Sequence, residues 1–538
     1  MEGQKIVLNR RAFVAGGAVA AASLGLGLAG CGGGSTEETA ASSSASSDAG
    51  TEAAAGSLTA AVGYQTNNYH PSTTSSALAL GANWHVVEGL YELNMSTYEP
   101  HAALAAGDPV EVSETVYEVT LREGAKFSDG TAVTAADVVS SWKRATAEGG
   151  LYVPMLSWIA NMEAKDDTTV TITTAFPFSL VKERLSLIKV VPTNATDDEL
   201  TSKPVGTGPW MYESISEQQI TFAPNPEYNG DYPAGNESMV WDIIVDDTAR
   251  CTAIQEGSVL CMENVPADMI DQIAAGGAAT EDVQGFNLPF LMFNTKKAPF
   301  DDARVRQAFF YAINVDQLIS NAMMDKAVAA VKEAAKSFLP ETHANYHEAS
   351  TVYTYDTAKA TELLTEAGVS NLSITLDTTD ANWITSLSPQ IKNDLEATGL
   401  ITVEIREQAS SSLYANQTDT DDPQFDVVLA PGDPSVFGND PDLLMNWWYG
   451  DNTWTQKRTQ WKGSEAYEQL QTLMNQAVQA TGDEQQEIWN QCFDLIAQEV
   501  PLYPLFHRSV TTAYYADQLD GYEPIGTTGL NFIGVTAK

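Results

Sequence analysis

The sequence predicts an α/β fold that is divided into more than one lobe. Strand patterns and helix patterns alternate along residues 58–538, and a body of this length suggests about three domain-sized units. The chain is 43% hydrophobic and 9% aromatic, so it has ample side chains for several cores. No internal repeat is visible. The alternation and the length together predict several packed units that each combine strands and helices.

The first predicted elements of this body are two strands and a capped helix. Residues 58–62 are predicted to form the opening strand, and the alternating pattern at 116–122 predicts another. Thr134 and Asp137 have the spacing of a capping box, in which each side chain accepts a hydrogen bond from the backbone N–H of the other residue. We therefore expect a helix that begins there and ends near Arg144, whose charge suits a helix C-terminus.

The later part of the body continues the same alternation. Asp302 and Asp356 are each predicted to cap a helix, and Gly368 supplies the C′ residue of the second one. Residues 425–429 form an apolar run typical of a buried strand. Two helical patterns occupy 467–500 and are separated by a Thr-Gly pair. Strands and helices are thus expected along the whole length of the body.

The first thirty residues have the layout of an export signal. Lys5, Arg10 and Arg11 precede an uncharged stretch of mostly Ala, Gly, Leu and Val at 12–30. A membrane-spanning helix is the alternative, but the glycines of this stretch weaken it as a stable helix. The Arg pair also resembles a twin-arginine export motif, and a simple basic start is the other interpretation. We predict a signal peptide at 1–30.

A lipid anchor and a tether are predicted directly after this signal. Residues 28–31, Leu-Ala-Gly-Cys, resemble the bacterial lipobox, in which the signal peptidase cuts before the Cys and the thiol carries diacylglycerol. Residues 31–57 contain no aromatic and no large aliphatic side chain, so they cannot bury enough surface to fold. We therefore predict lipidation of Cys31, a disordered tether at 31–57, and an exported protein at the outer face of the cell membrane.

The net charge of the chain excludes several classes of partner. With 28 basic and 71 acidic residues, the formal charge is −43. Nucleic-acid binding requires a basic face, so it is not expected. Electrostatic docking on anionic lipid is disfavoured for the same reason, which leaves the anchoring to the lipid. The negative field favours cationic solutes over anionic ones.

The cysteine and histidine positions give little support for a metal site. With Cys31 lipidated, three cysteines remain, and Cys251 and Cys261 could either pair or stay as buried thiols. No spacing resembles a zinc site, so no metal is predicted. His343 and His347 have the i, i+4 spacing that could hold a metal on a helix, and an exposed loop is the alternative.

Motifs of enzymes and cofactor binders are not found in the sequence. It contains no Gly-x-Ser-x-Gly elbow, no His-Glu-x-x-His, no phosphate-cradling glycine loop and no Rossmann fingerprint. With 71 acidic residues in the chain, a pair of carboxylates in the sequence is not evidence for a catalytic site. We therefore predict no cofactor, and a hydrolase is a less favoured alternative to a binding protein.

Six segments carry recognisable motifs in a fixed order. They are LREGAKFSDGTAVTAADV at 121–138, PVGTGPW at 204–210, a pattern of one long Arg-Gln-Ala helix at 301–319, the Asp-capped helix pattern at 355–368, the Asp-Pro-rich stretch at 433–442, and VPLYPLF at 500–506. Together they resemble bacterial extracellular solute-binding proteins of family 5, which includes the dipeptide, oligopeptide and nickel-binding subunits of ABC importers. The resemblance covers essentially the whole body.

The resemblance implies a two-lobed fold of the type II periplasmic-binding-protein class, with an extra small domain on the first lobe. It places lobe I with this small domain at 58–285, lobe II at 286–504, and a return to lobe I at 505–538. By analogy, the crossovers between the lobes lie near 286–291 and 503–506.

The resemblance also implies a function. Members of the family capture a solute between the lobes, and closure presents the liganded form to a permease and its ATPase. We expect this chain to be a monomer that captures oligopeptides. The alternatives are binding of a metal chelate or another cationic solute, and a sensor or adhesin role on the same fold.

Asp433 is the strongest site residue that the resemblance implies. It falls where peptide-binding members place the Asp that pairs with the α-amino group of the ligand. A cation in a closed cleft needs a carboxylate, and the neighbouring Gly432 belongs to the same rigid, Pro-rich loop. A turn residue is the alternative reading of Asp433. Asp440 and Asp442 are the next acids in the loop.

Aromatic residues after predicted strands are the other candidates. Tyr69, Trp383 and Trp447 are expected to line the cleft, because loops at strand C-termini do so in α/β proteins and aromatic rings stack on peptide groups. Core packing is their alternative role. Where dipeptide binders carry an Arg for the ligand carboxylate, residues 380–383 read Asp-Ala-Asn-Trp. This departure favours a longer peptide or a solute without a carboxylate.

Overall fold

The computed structural model describes residues 56–148, 150–326 and 332–538. The predicted signal peptide, the lipidation site Cys31 and the tether up to residue 55 lie outside the described residues. In the part that is described, no helix combines the length and the apolar character needed to cross a membrane.

Nineteen strands occur among the described residues. In chain order they are β1 (Ser57–Val62), β2 (Tyr91–Leu93), β3 (Pro100–Ala102), β4 (Val110–Ser113), β5 (Val116–Thr120), β6 (Ile159–Ala164), β7 (Thr169–Thr174), β8 (Trp210–Ile215), β9 (Gln219–Pro224), β10 (Ser238–Ile243), β11 (Cys261–Met262), β12 (Ala279–Phe293), β13 (Leu372–Thr379), β14 (Ile401–Gln408), β15 (Val427–Gly432), β16 (Leu502–Pro504), β17 (Arg508–Tyr514), β18 (Leu519–Asp520) and β19 (Thr536–Ala537).

Sixteen α-helices are described as well. They are α1 (Ala77–Val86), α2 (Ala135–Ala145), α3 (Val153–Leu156), α4 (Val181–Leu185), α5 (Asp197–Ser202), α6 (Asp247–Gln255), α7 (Ile270–Ala275), α8 (Ala303–Ala312), α9 (Val315–Met323), α10 (Thr357–Glu366), α11 (Asn382–Thr385), α12 (Ser388–Glu396), α13 (Ser410–Leu413), α14 (Pro441–Tyr449), α15 (Glu465–Ala477) and α16 (Gly482–Glu499). A short 3₁₀ helix at Pro434–Phe437 and π-helical turns at Tyr414–Thr418 and Trp454–Arg458 complete the set.

One large mixed sheet organises the molecule. Its strand order is β14-β13-β15-β12-β17-β11-β1-β10-β9-β8, and β16 pairs with β12. In one half β1 is parallel to β10 and β11, and in the other half β13 is parallel to β14 and β15. We use lobe I for the half from β17 to β8, and lobe II for the half from β14 to β12.

Strand β12 belongs to both lobes. Its first part pairs with β17 as far as Asn287, which is the partner of Arg508. The next residue, Leu288, is already the partner of Gly432 on β15. A bulge between Gln284 and Asn287 marks the place where the pairing of β12 changes from β17 to β15. The chain returns to lobe I where β16 is followed by β17, and this is the second connection between the lobes. The sheet therefore passes from one lobe to the other within two residues of β12, while the residue boundaries of the domains stay a prediction.

A separate antiparallel sheet, β4-β5-β7-β6, lies between α1 and β8 in the chain. Val119, Val170 and Ile172 are fully buried in it and belong to the same hydrophobic cluster as the core of lobe II. Tyr152, which directly precedes α3, and Phe437 of lobe II have ring centroids 5.4 Å apart. The segment between β5 and β6 therefore packs against lobe II in this structure.

The predicted helix caps are confirmed by their hydrogen bonds. The carboxylate of Asp137 accepts from the backbone N–H of Thr134 at 2.9 Å. Asp302 accepts from the N–H of Arg304 at 2.9 Å, and Asp356 accepts from an N–H at 2.9 Å in the first turn of α10. These satisfied donors explain why the helices begin at these residues.

The stretch predicted as one helix over 301–319 is instead two helices. Helix α8 ends before Ile313, whose backbone is extended. Asn314 then accepts a hydrogen bond from the N–H of Gln317 at 3.2 Å and so caps α9. The prediction of a continuous helix is wrong because this Asn competes for the backbone and restarts the helix.

The three described cysteines, Cys251, Cys261 and Cys492, are free and buried. The pairing of Cys251 with Cys261, which the sequence left open, is not present.

Candidate functional site

The strand ends of the two lobes meet at a boundary, which we call the cleft. On the side of lobe I, β1 and β11 are followed by Gly63 and Glu263. On the side of lobe II, β15 is followed by Asp433 and β13 by the segment that carries Trp383. Carboxyl ends of parallel strands are the usual place for ligands in α/β folds.

Asp433 reaches across this cleft to lobe I. One carboxylate oxygen accepts from the N–H of Thr528 at 2.7 Å and from the hydroxyls of Thr528 at 2.9 Å and Thr527 at 3.0 Å. The other accepts from the N–H of Ser435 at 3.2 Å and from the Ser435 hydroxyl. No described residue forms an ion pair with Asp433. Its charge is therefore held by neutral donors, two of which are threonine hydroxyls that a cation could replace.

Tight packing leaves no space for a side chain at Gly432. A Cβ atom at this position would lie 2.3 Å from Cζ2 of Trp448 and 3.1 Å from a ring carbon of Phe290. Trp448 is fully buried, so its ring has no room to move away. Gly432 thus allows the loop that carries Asp433 to lie directly on the core of lobe II.

Tyr69 and Trp447 are core residues in this structure. Tyr69 is 2% exposed and meets Tyr212 edge to face, with ring centroids 5.9 Å apart. Burial raises its pKa to about 12. Trp447 is 9% exposed and packs against Phe437 at 4.9 Å. Both have the surroundings expected for the alternative role of core packing, and their contact with a ligand stays a prediction.

Trp383 is placed at the boundary between the lobes. The guanidinium carbon of Arg508, the first residue of β17, lies 4.6 Å from the centroid of its ring. The neighbouring Asn382 donates to the carboxylate of Asp247 in lobe I at 2.8 Å. Of the five predicted ligand contacts, Asp433 and Trp383 thus have side-chain contacts from one lobe to the other.

Two charged residues that the sequence reading did not single out lie in the same cleft. Arg508 is 4% exposed and donates to Oδ1 of Asn264 at 2.7 Å. Glu263 is 2% exposed and accepts from the N–H of Gly63 at 3.2 Å. Burial raises the pKa of Glu263 to about 7 and lowers the pKa of Arg508. The only sequence signal was their position, directly after a strand or after the apolar run at 500–506.

Asp440 and Asp442 are engaged elsewhere. Both oxygens of Asp440 accept from the guanidinium of Arg184 at 2.6 Å, and Asp442 accepts from it at 2.8 Å. Arg184 lies on α4, beside the β2–β3 hairpin, and is fully buried. Burial alone would raise the pKa of Asp440, but the guanidinium outweighs it and the pKa is lowered. These acids fasten lobe II to α4 and are not available to a ligand in this structure.

The two histidines with metal-like spacing make separate contacts. His343 Nε2 lies 2.7 Å from the carbonyl oxygen of Asn439, and His347 Nε2 lies 3.3 Å from a carboxylate oxygen of Asp494. Within 56–148, 150–326 and 332–538, no group of three or more His, Cys, Asp or Glu residues is arranged to hold a metal ion.

A cavity lies beside Tyr98, whose hydroxyl is close enough to Asp433 to be affected by its charge. A cavity of about 240 Å³ lies between the β2–β3 hairpin and the loop that precedes α14, and its lining includes Tyr98, Glu99, Asn345 and Asn439. Burial raises the pKa of the Tyr98 hydroxyl, and the Asp433 charge acts in the same direction. Tyr98 thus connects the surroundings of Asp433 with this cavity.

Comparison with known proteins bears on the family and the fold of this chain. A family model described as bacterial extracellular solute-binding proteins, family 5 Middle, matches residues 99–456. The glutathione-binding protein GsiB of Pectobacterium atrosepticum is 31% identical over 266 residues, which cover 47% of this chain and 50% of that protein. The heme-binding protein A of Haemophilus influenzae is 25% identical over 497 residues, which cover 84% of this chain and 87% of that protein.

A solved structure shows the same fold. The periplasmic binding protein DppA of Helicobacter pylori, in complex with the peptide STSA, has a TM-score of 0.78 at 21% identity, covering 90% of this chain and 98% of that one. The chain spans about half of the length of the first glutathione-binding relative, whereas the family model covers most of this chain. The family and these neighbours are binding proteins and not enzymes. The chain belongs to the bacterial extracellular solute-binding proteins, family 5.

Proposed function

We propose that this protein is the solute-binding subunit of an ABC importer and that it captures oligopeptides by closure of its two lobes. The observation that supports this most directly is Asp433, a carboxylate of lobe II whose partners in lobe I are Thr527 and Thr528. A peptide ammonium is a stronger partner than a neutral hydroxyl, because its hydrogen bond is charge-assisted. The α-amino group of a peptide would therefore replace the threonine hydroxyls.

Closure then follows from differential affinity. A ligand that touches Asp433 in lobe II and the strand ends of lobe I gains contacts in the closed state that the open state lacks. It shifts the population toward closure only by this difference. The closed form is the one that a permease with its ATPase would receive.

The proposed location rests on the N-terminal motifs. The family is extracytoplasmic. Lipidation of Cys31 and a flexible tether at 31–57 would keep the mature protein at the outer face of the cell membrane, within reach of a membrane-embedded permease.

Native mass spectrometry of the purified body tests the class of solute. We expect a retained mass that corresponds to a peptide. Addition of a peptide pool should lower the radius of gyration in X-ray scattering and raise the melting temperature, because a ligand that binds only the folded state stabilises it. A retained metal chelate or haem, with no response to any peptide, would contradict the peptide proposal.

A second experiment tests the role of Asp433. Calorimetry compares one bound peptide, free and N-acetylated, on the wild type, on Asp433→Asn and on the control Asp451→Asn. Asp451 pairs with Lys462 outside the cleft. Acetylation should cost the wild type and the control about 2–5 kcal/mol, the range for truncating a buried charged partner, and should cost Asp433→Asn little. Equal costs in all three proteins would show that Asp433 does not bind the amino terminus.

A further inference from the structure

The cavity of about 240 Å³ beside Tyr98 contains acidic groups that have no counter-charge. Glu99, from the turn between β2 and β3, and Glu183, from α4, both line it. Neither carboxylate forms an ion pair with a described residue. Glu183 is half-buried, and burial together with the charge of Asp440 raises its pKa. A carboxylate that is partly removed from water is unfavourable without a partner, so this cavity suits a cation from outside the chain.

The two cationic side chains that flank Glu183 in the chain are engaged elsewhere. The guanidinium of Arg184 donates to both oxygens of Asp440 and to Asp442, so its single charge faces two carboxylates. Lys182 pairs with Asp108 at 3.1 Å on the surface. Neither cation is therefore free to neutralise the carboxylates that line the cavity.

The imidazole in the lining does not supply the missing charge either. His343 Nδ1 accepts from the N–H of Asn345 at 3.1 Å, and its Nε2 lies 2.7 Å from the carbonyl oxygen of Asn439. A ring that accepts at Nδ1 and donates at Nε2 is neutral. Glu99 and Glu183 therefore give the cavity a net negative charge.

A buried hydroxyl without a partner lies beside the same cavity. Tyr98 lines it, and its hydroxyl forms no hydrogen bond of normal geometry with any described residue. Burial raises the pKa of this hydroxyl, and the charge of Asp433 and the hydroxyls of Ser435 and Thr527 are close enough to affect it as well. A buried hydroxyl that lacks a partner costs free energy, so a polar group of a ligand is its expected partner.

The first residue of a bound peptide would connect these groups. Its side chain branches from the same carbon atom that carries the α-amino group, so an amino group held by Asp433 brings that side chain next to Tyr98. From this placement we infer that the cavity binds the first side chain of the ligand and selects a basic one, lysine or arginine, through Glu183 and Glu99. The inference rests on the proposed capture of peptides and names a class of them.

The rest of the lining suits a basic side chain in particular. Leu93, Pro100 and Leu180 add apolar surface to the cavity, against which the methylene stem of lysine or arginine can pack. An acidic side chain would be repelled by Glu99 and Glu183. An apolar side chain would leave both carboxylates without a partner, whereas an ammonium or a guanidinium forms charge-assisted hydrogen bonds with them.

Four series of synthetic peptides test the inference. In three of them the first residue is lysine, norleucine or glutamate, followed by one to four alanines; in the fourth, lysine stands second after an alanine. Calorimetry gives the dissociation constants. On the wild type, peptides with lysine first should bind at least about 10-fold tighter than those with norleucine first, the size of a charge-assisted contact that is partly open to water. Peptides with glutamate first should bind most weakly.

Variants then locate the preference. Glu183→Gln should reduce the advantage of lysine over norleucine to less than about 3-fold, because the ammonium loses its charged partner. Glu366→Gln is the matched control, since it removes the same charge at the exposed end of α10, outside the cavity. It should keep the full advantage, because salt screens an exposed charge that does not touch the ligand. If Glu183→Gln shows no cooperative melting, Glu99→Gln, on an exposed turn, takes its place.

The outcomes separate this inference from the proposed function. If no peptide of any series binds, the proposed function fails. If peptides bind but lysine and norleucine are equal at the first position, or if lysine gives the same advantage at the second position, peptide binding stands and the role of the cavity is refuted. A loss of preference that is equal in Glu366→Gln and Glu183→Gln would also refute it, since the overall acidity of the chain would then be the cause.

Discussion

Replacement of Arg184 by Met removes the guanidinium that joins α4 to lobe II. Arg184 is fully buried, and the side chains of Asp440 and Asp442 are only 16% and 8% exposed. In Arg184→Met the two carboxylates would face each other without a counter-charge. Removal of one partner from a buried ion pair costs about 3–5 kcal/mol. We expect a loss of this size in the free energy of unfolding.

Urea unfolding, followed by circular dichroism, measures this loss. Arg304→Met is the control, because Arg304 pairs with Asp302 at 2.6 Å on the surface, where ion pairs contribute little. X-ray scattering of the ligand-free protein gives a second readout, since the contact holds lobe II against α4. Arg184→Met should have the larger radius of gyration.

A compensating variant separates lost charge balance from lost packing. Arg184→Met combined with Asp440→Leu and Asp442→Leu leaves no uncompensated charge, so it should recover most of the stability. If Arg184→Met unfolds at the same urea concentration as the control, the reasoning about buried charge at this contact is refuted.

Three further predictions concern other parts of the molecule. Cys31→Ser should leave a folded protein that carries no lipid and is lost from the membrane fraction; diacylglycerol on this variant would contradict the lipobox. The pKa of Glu263 is raised from 4.5 to about 7, so the stability due to its protonated form is complete below pH 4.5 and is lost as the pH rises through 7. Across this pH range the free energy of unfolding of the wild type should fall by about 3 kcal/mol, whereas that of Glu263→Gln should not show this loss. Parallel pH profiles of the two proteins in urea unfolding would disprove the burial of a titrating carboxyl. Gly432→Ala should destabilise by about 1–3 kcal/mol because its Cβ meets Trp448, whereas Gly107→Ala, with no atom within 4 Å, should have little effect in the same assay.

Features that depend on residues close together in the chain, such as helix caps, could be predicted from the sequence. The caps at Thr134, Asp302 and Asp356 depend on side chains that bond to backbone two or three residues away. Asn314 was equally local, but the resemblance to a long helix concealed its competing cap. The side chains that cap a helix therefore predict the residue at which it begins. At Asn314 this local signal was correct, and the resemblance to a longer helix was not.

Contacts between segments that are far apart in the chain could not be predicted from the sequence. Arg184 and Asp440 are separated by 256 positions, and Asp433 and Thr528 by 95. From its local sequence each residue resembles an ordinary surface charge or turn residue, since only the folded sheet brings it to its partner. Asp433 was singled out by the family resemblance, but its threonine partners were not. An aromatic residue after a strand is equally ambiguous: Trp383 lies between the lobes, while Tyr69 lies in a core.

The order of strands also governs how the chain acquires its fold during synthesis. All the strands of lobe II, from the second part of β12 to β16, emerge from the ribosome as one continuous stretch. Lobe I has to wait, because β17 is the strand between β11 and β12 and belongs to the last 31 residues. Until it arrives, β11 exposes an unpaired edge that invites association with other chains. A nascent or truncated chain that ends before Arg508 would therefore carry a complete lobe II beside an open, aggregation-prone lobe I.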